Sequence, residues 1–442
     1  MTKMSPEQRG IAIPIGRFNR LARLGGVTTA VAGNVAAKGG FELLRGRKPR
    51  ISDLLLTPGN VSRIAEQLAR MRGAAMKAGQ LLSMETADML PPELAQIMGR
   101  LRGEAHFMPP SQLKKVLTAN WGPDFLKTFK RFDVHPIAAA SIGQVHRAQT
   151  KDGRDLAIKV QYPGVRDSID SDMRNLGMIL RASGMLPKGF DLDRLLADGT
   201  EQLREETDYS REAEALERFA VHLQDHTVFK LPSVHKDLST KDILVMDYLE
   251  GEAIEELEST GQAVRDRVST ELISLTLREA FELRDMQTDP NFANYRYAPG
   301  TGQIILLDFG ATRQFSRALS ADYLALFQAA VASDNEAAFA KMVEIGLVGA
   351  DMSASDRAHI LRLFDIAAEP LRAGGVLDFG TCGLLVHLRR EGLVLAEEQV
   401  SIHAPPTDTL LFQRKVLGCY LLAERLRARV DLTPLIARYC AA

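Results

Sequence analysis

A chain of 442 residues, 45% hydrophobic and 25% charged, is long enough for about two or three packed units of ~150 residues and too apolar for a disordered tail. Lys+Arg 55 against Asp+Glu 56 gives a net charge of −1, so there is no whole-chain field to hold nucleic acid, and no nucleic-acid partner is expected. The three cysteines, Cys382, Cys419 and Cys440, include no C-x-x-C pair, which excludes a disulfide framework and a four-thiolate zinc site.

Residues 1–50 carry ten basic side chains against Glu7 and Glu42, a net charge of +8 that leaves −9 on the rest. Here Arg alternates with Ile13, Ile15, Phe18, Leu21 and Leu24, which suits a helix lying on an anionic membrane surface. A solvated basic tail is the plainer reading of the same charges. An Arg-rich, acid-poor start also fits a mitochondrial transit peptide, ranked lower because the segment runs unbroken into folded sequence. No stretch approaches the ~18 apolar residues needed to cross a bilayer.

Residues 58–108 read as helical, with Val61, Ile64, Leu68 and Met71 recurring every three to four positions and Pro91-Pro92 as a break. Another helix is predicted from Ser111 to about Lys130. From Ile137 to Val160 the texture becomes that of a hairpin turning at Lys151-Asp152-Gly153-Arg154. A long charged helix is predicted from Leu192 to about His222, and a buried strand from Ile243 to Leu249. Beyond Gly251 the pattern is mostly helical, apart from a strand over Gln303–Asp308.

Four fragments along this frame belong to one chemistry. Leu156-Ala157-Ile158-Lys159 is one substitution from the V-A-I-K of protein kinases, whose lysine neutralises nucleotide phosphates. Upstream, Ala138-Ala139-Ala140-Ser141-Ile142-Gly143-Gln144-Val145 stands where a kinase has G-x-G-x-x-G-x-V, with Gly143 and Val145 in register and alanine at the first two glycine positions. Added Cβ atoms restrict the backbone, so such a loop holds phosphates differently from a glycine loop. Downstream, Asp289-Pro290-Asn291-Phe292-Ala293-Asn294 reproduces the D-x-x-x-x-N of a catalytic loop, and Asp308-Phe309-Gly310 supplies D-F-G. Asn294 and Asp308 are hard-oxygen ligands suited to Mg²⁺, and Asp289 would orient or deprotonate the attacking group. The strand at Ile243–Leu249 is the expected hinge, with backbone groups of Asp247 and Leu249 meeting adenine. Gln287 and Thr288 replace the His and Arg of H-R-D, and no A-P-E follows Gly310, so phosphorylation of proteins is doubtful. A second D-F-G at Asp378-Phe379-Gly380 has no catalytic loop before it and reads as ordinary loop.

Lys77-Ala78-Gly79-Gln80, together with Glu206-Thr207-Asp208 and Tyr209-Ser210-Arg211-Glu212-Ala213, narrows the comparison. With the alanine loop, these residues closely resemble the UbiB family of atypical protein-kinase-like ATPases of coenzyme Q biosynthesis, mitochondrial members and bacterial counterparts alike. The resemblance implies an α+β, two-lobed kinase-like fold with an N-terminal helical extension. The expected division is a basic segment over 1–57, a K-x-G-Q extension over 58–110, an N-lobe over 111–246 and a C-lobe over 247–442. It implies that Glu212 partners Lys159, and that Lys77 and Gln80 gate the site against Glu206 and Asp208. It further implies ATP and Mg²⁺ as cofactors and ATPase activity supporting ubiquinone biosynthesis. Quinone or isoprenoid precursors and biosynthetic proteins would be its partners. The family's C-terminal membrane spans have no match here, so membrane contact is expected through residues 1–50, with a cytoplasmic protein peripheral on a bacterial inner membrane ranked above the mitochondrial matrix. Phe412-Gln413-Arg414-Lys415 also resembles the family, with no chemical role legible. The rival readings are a small-molecule or lipid kinase and a nucleotide-switched scaffold.

Overall fold

The computed structural model describes residues 107–140, 142–183, 192–397 and 405–440. The expectations placed on residues 1–57, on the helices of 58–106, and on Lys77, Gln80 and Ser141 lie outside them. Two compact units divide the described residues, one taking those up to Glu217 with Pro232–Leu249, the other Arg218–Leu231 with those from Glu250 onward.

In the first unit, α1 (Pro110–Trp121) opens on a first-turn proline and closes at Gly122, whose φ of +83° ends the helix well before the expected Lys130. The chain then extends into β1 (Phe129–Phe132), β2 (Ala138–Ala139), β3 (Gly143–Thr150) and β4 (Asp155–Gln161). The predicted hairpin is β3–β4, turning through Gly153 at φ +97°. Helices α2 (Val165–Ser183), α3 (Leu192–Glu206) and α4 (Tyr209–His222) follow, and, after the short β5 (Phe229–Lys230) of the second unit, β6 (Ile243–Asp247). The sheet runs β1–β3–β4–β6, all antiparallel, with β2 also on β3.

Alternation along β4 sorts its two faces. Leu156, Ile158 and Val160 join Ile243 and Val245 in a core closed by Leu113 and Leu117 of α1 and by Phe125 and Phe129. Lys159 and Gln161 face the other way, and both are buried. The single helix predicted over 192–222 is two helices. Their break at Thr207-Asp208 is held open because the Thr207 carbonyl accepts from Gln161 Nε2 (3.0 Å), while the Asp208 carboxylate accepts from the Ser210 amide at the start of α4 (3.1 Å).

A buried polar chain crosses this unit. His146, fully buried, places Nδ1 2.9 Å from the Asp133 carbonyl, which can only accept; Nε2 must therefore accept from Gln144 Nε2 (2.8 Å). The remaining amide oxygen of Gln144 accepts from the Met108 amide (2.8 Å), so every member is satisfied with a neutral imidazole.

The second unit contains β5 and β7 (Glu252–Ala253), α5 (Gln262–Arg278), β8 (Asp285–Gln287), β9 (Tyr295–Ala298), β10 (Gln303–Leu306) and β11 (Thr312–Gln314). It continues through α6 (Arg317–Ala332), α7 (Asn335–Glu344), α8 (Ala354–Ala373), β12 (Val376–Asp378), α9 (Leu384–Glu397), α10 (Thr407–Arg425), β13 (Arg429–Asp431) and α11 (Thr433–Cys440). One sheet is ordered β5–β10–β9–β7, and β8–β11 and β12–β13 form separate antiparallel pairs. This is more strand than the sequence pattern promised, because runs of two to four residues are too short for alternation to register. The expected strands shorten as well: 303–308 pairs only to Leu306 and 243–249 only to Asp247. Helix α5 runs directly into a π turn, Glu279–Leu283, and stops at Arg284 with φ +54°. No described helix is long and apolar enough to cross a membrane.

Burial lowers the His146 pKa to about 4, against an ordinary value near 6.5. Between those values the unfolded chain binds the extra proton. Stability is therefore full above pH ~6.5 and falls by up to about 3 kcal/mol as pH drops toward 4. Denaturant unfolding from pH 7.5 to 4.5 is expected to show this slope in the native protein and to lose it in His146→Gln.

Candidate active site

Lys159 stands on β4 opposite Val145 of β3. Its Nζ meets both carboxylate oxygens of Glu212, on the first turn of α4, at 2.8 Å each, with the two side chains 8% and 4% exposed. The ammonium also lies 5.2 Å from the Tyr209 ring centroid. The alanine loop is a tight hairpin, with Ala138 and Ala139 laddered to Val145 and Gln144 and the Ala140 amide donating to the Gly143 carbonyl at 2.9 Å. A Cβ on Gly143 would lie 2.5 Å from the Val160 carbonyl oxygen and 2.6 Å from the Tyr209 hydroxyl, so close packing by itself requires glycine there. At the hinge strand, the Asp247 amide donates to the Ser233 carbonyl (3.0 Å) and the Tyr248 amide to Asp155 (2.9 Å). The Asp247 carboxylate takes His235 Nε2 (2.8 Å) and the Ser233 amide (3.0 Å). Among the described residues no hydrogen bond occupies the Leu249 amide. Glu206 ends α3 and Asp208 precedes α4, so these two carboxylates stand on either side of the break between the helices.

In the second unit, the β8–β11 pair brings the catalytic-loop and D-F-G segments side by side. Thr288, in the position of the H-R-D arginine, donates both its amide (3.2 Å) and its hydroxyl (2.6 Å) to the Ala311 carbonyl. Asn294 Nδ2 donates to the Asp289 carbonyl (3.2 Å) and to Asp289 Oδ2 (3.1 Å), leaving its own Oδ1 as the atom for a hard cation. The Asn294 carbonyl accepts from Leu307 N–H at 3.0 Å, which sets Asn294 beside Asp308. Asp308 Oδ1 accepts from the Gly310 amide at 2.9 Å. One amide oxygen with one carboxylate is a donor set that suits Mg²⁺ completed by phosphate oxygens.

Residues 100–342, more than half of the chain, match the ABC1 atypical kinase-like domain. The chain belongs to the ABC1 atypical kinase-like family. Within it, this chain is 37% identical to atypical kinase COQ8, mitochondrial, of Saccharomyces cerevisiae over 96% of its own length and 85% of the yeast protein's. It is 35% identical to atypical kinase COQ8B, mitochondrial, of Rattus norvegicus over 97% of its length and 81% of the rat protein's. A solved structure, the Mycobacterium tuberculosis Rv3197–erythromycin complex, shares the fold with a TM-score of 0.60 at 24% identity, covering 85% of this chain and 95% of that one. The chain is thus an enzyme of the atypical kinase class with an α+β kinase-like fold. The sequence-based placement in the cytoplasm, peripheral on a bacterial inner membrane, is corrected by these relatives, whose names carry the mitochondrion instead. An Arg-rich amino terminus fits a membrane-binding helix and a mitochondrial presequence equally, so its charge could not decide the compartment.

Sequence reasoning left Phe412–Lys415 of this ABC1 chain without a role, and the structure supplies one. Arg414, on α10 and 9% exposed, bonds Asp289 Oδ1 through Nη2, so that Asp289 is gripped on both oxygens. Its Nη1 has no hydrogen-bond partner among the described residues. Nothing nearby in sequence signals this pairing, since 125 positions separate the partners. The second D-F-G makes the same turn as the first, Gly380 N–H to Asp378 Oδ1 at 3.0 Å. However, Asp378 is paired with Arg429 (3.3 Å) and Phe379 is buried against Tyr420, a structural use throughout.

A buried ion pair is costly to break one-sidedly and cheap to replace whole. Glu212→Ala is expected to cost about 3–5 kcal/mol in urea unfolding, as removal of one member of a buried ion pair does. Lys159→Met with Glu212→Leu should lie within about 1 kcal/mol of the parent, the two sites being coupled rather than additive.

Proposed function

We propose that this protein is an ATP- and Mg²⁺-dependent ATPase that supports coenzyme Q biosynthesis at a membrane surface. The observation that carries the reading is the Lys159–Glu212 pair, a buried ammonium kept at the strand position a kinase uses for phosphates, in a chain that also orders Asp289, Asn294 and Asp308 about one loop. In this reading Lys159 takes the α/β-phosphates, Glu212 fixes its rotamer, and the alanine hairpin with Val145 covers the phosphates. The Leu249 amide meets the adenine edge, since the Asp247 amide is already donated to Ser233. Asn294 and Asp308 hold Mg²⁺, which supplies neutralisation of phosphate charge when bound.

Asp289 orients the attacking oxygen. Each of its oxygens already accepts one hydrogen bond, from Arg414 and from Asn294, which fixes the direction the carboxylate faces. The COQ8 names of the relatives support the coenzyme Q assignment. The +8 charge of residues 1–50 supports a membrane surface, and Lys77 and Gln80 remain the proposed gate.

The purified full chain is expected to release ADP from ATP only with Mg²⁺, and Asp308→Asn to lower that rate on the order of 100-fold. In cells lacking their own COQ8 relative, the same substitution should abolish restoration of coenzyme Q, measured by mass spectrometry. Normal quinone with no ATP hydrolysis would replace this reading with a scaffold.

A further inference from the structure

Helix α10 meets the catalytic loop at three points within a little over one turn. Arg414 bonds the Asp289 carboxylate, Lys415 reaches Gln287, and Gly418 lies so close to Pro290 that a Cβ would stand 2.0 Å from the proline Cβ. Positions 414, 415 and 418 share one helix face, so this contact is a single surface applied to residues 287–290.

Lys415 is the unusual member. It is 3% exposed, in the middle of a helix and beneath the loop rather than at its surface. Its Nζ lies 3.1 Å from Glu279 Oε2, an ion pair without hydrogen-bond geometry, and it donates to Tyr295 Oη (3.2 Å) and Gln287 Oε1 (3.3 Å). Glu279 is 1% exposed and opens the π turn that precedes β8, a widened turn of the sort that recurs at functional sites. Burial raises the Glu279 carboxyl to about 7 against the pull of Lys415. Burial would lower Lys415, yet Glu279, Tyr295 and Cys419 together hold it above ordinary lysine, so the ammonium is the fixed charge of the cluster. Desolvating an ammonium this fully is expensive, and a helix does not need it to fold.

What the charge accomplishes is visible at Gln287. A primary amide has two ends that could exchange by rotation. Lys415, a donor only, selects the oxygen end. The nitrogen end must then point at Asp289, whose carbonyl it contacts at 2.7 Å. Gln287 stands where H-R-D kinases have histidine, so the loop here is oriented by an amide held at both ends, its oxygen by a lysine 128 positions away and its nitrogen by the Asp289 carbonyl.

We propose that Lys415 is a positioning residue for catalysis: acting through Gln287, it holds the Asp289 backbone in the orientation that the ATPase step requires. This rests on the proposed ATPase reading, and it adds a residue that touches neither nucleotide nor metal. Loss of the charge would release the oxygen end of the Gln287 amide, and the Asp289 main chain bonded to its other end would sample displaced positions; misplacement of about 1 Å is enough to cost on the order of 100-fold in rate.

The test replaces the buried pair whole, so that no stranded charge unfolds the protein. Lys415→Met/Glu279→Gln, Gln287→Met and the combination of all three are compared with the parent and with Arg425→Gln, which alters a surface ion pair at the end of the same helix. Each is followed by steady-state ADP release, by binding of a non-hydrolysable ATP analogue with Mg²⁺, and by thermal melting. The expected result is a fall in kcat of roughly 10- to 100-fold for the double variant and for Gln287→Met. Analogue affinity should stay within about twofold, and the triple variant should be no slower than the slower of its parents. Independent multiplication of the two losses would overturn the route through Gln287. Unchanged kcat in a folded double variant would overturn the proposal altogether. A lowered melting temperature with kcat per folded molecule unchanged would make Lys415 a stability residue only, also overturning it. If the parent and Arg425→Gln bind the analogue but release no ADP, the ATPase reading has failed, and Lys415 has no such step to position.

Discussion

Two charges removed from water set the terms for the first unit. Lys159 and Glu212 are both nearly inaccessible, and each oxygen of the carboxylate is matched to the ammonium at 2.8 Å. Such a pair gains little stability over a well-packed apolar substitute, so its presence has to be explained by what the ammonium does. The surrounding sequence serves it. Strand alternation puts Lys159 on the face away from α1, and the break at Thr207-Asp208 lets α4 start anew with Glu212 in its first turn. Gly143 leaves room for the Tyr209 ring that lies under the ammonium.

The second unit solves a different problem with the same physics. Its catalytic loop is short and irregular, and irregular backbone needs external partners to hold one conformation. Those partners come from far along the chain: Ala311 for Thr288, Leu307 for Asn294, Arg414 for Asp289. Arg414 ties the loop to α10, which packs into a hydrophobic core. Phe412, two residues before Arg414, stacks on Tyr323 at 3.7 Å between centroids and belongs to the cluster that also buries Met286. The loop is thus braced from the same core that its own flanking strand enters through Met286.

Much of this was legible in the amino-acid order, and the boundary of legibility is physical. The Ile137–Val160 hairpin, the lysine at its end and the D-x-x-x-x-N and D-F-G segments could be read because each is local, its meaning carried by neighbours a few positions away. Helix ends were missed where a distant group decided them, as Gln161 does for Thr207. Arg414 and Lys415 could be recognised as a resemblance but not interpreted, since their partners lie more than a hundred positions upstream. The two D-F-G tripeptides make the point from the other side. They fold into the same turn, and the use of the second one is set by Arg429 on Asp378 and Tyr420 on Phe379, which the tripeptide does not encode.

The π turn at Glu279–Leu283 has a consequence for how this chain can vary through descent. Such a turn amounts to an α-helix with one residue inserted, and each residue advances a helix by about 100°. Composition upstream, along α5, is free to drift so long as the buried face is kept. Length is not: losing a single position there would restore regular winding and swing Glu279 away from α10. Insertions and deletions in this family should accordingly collect in the surface connections and spare the interval from α5 to Asp289.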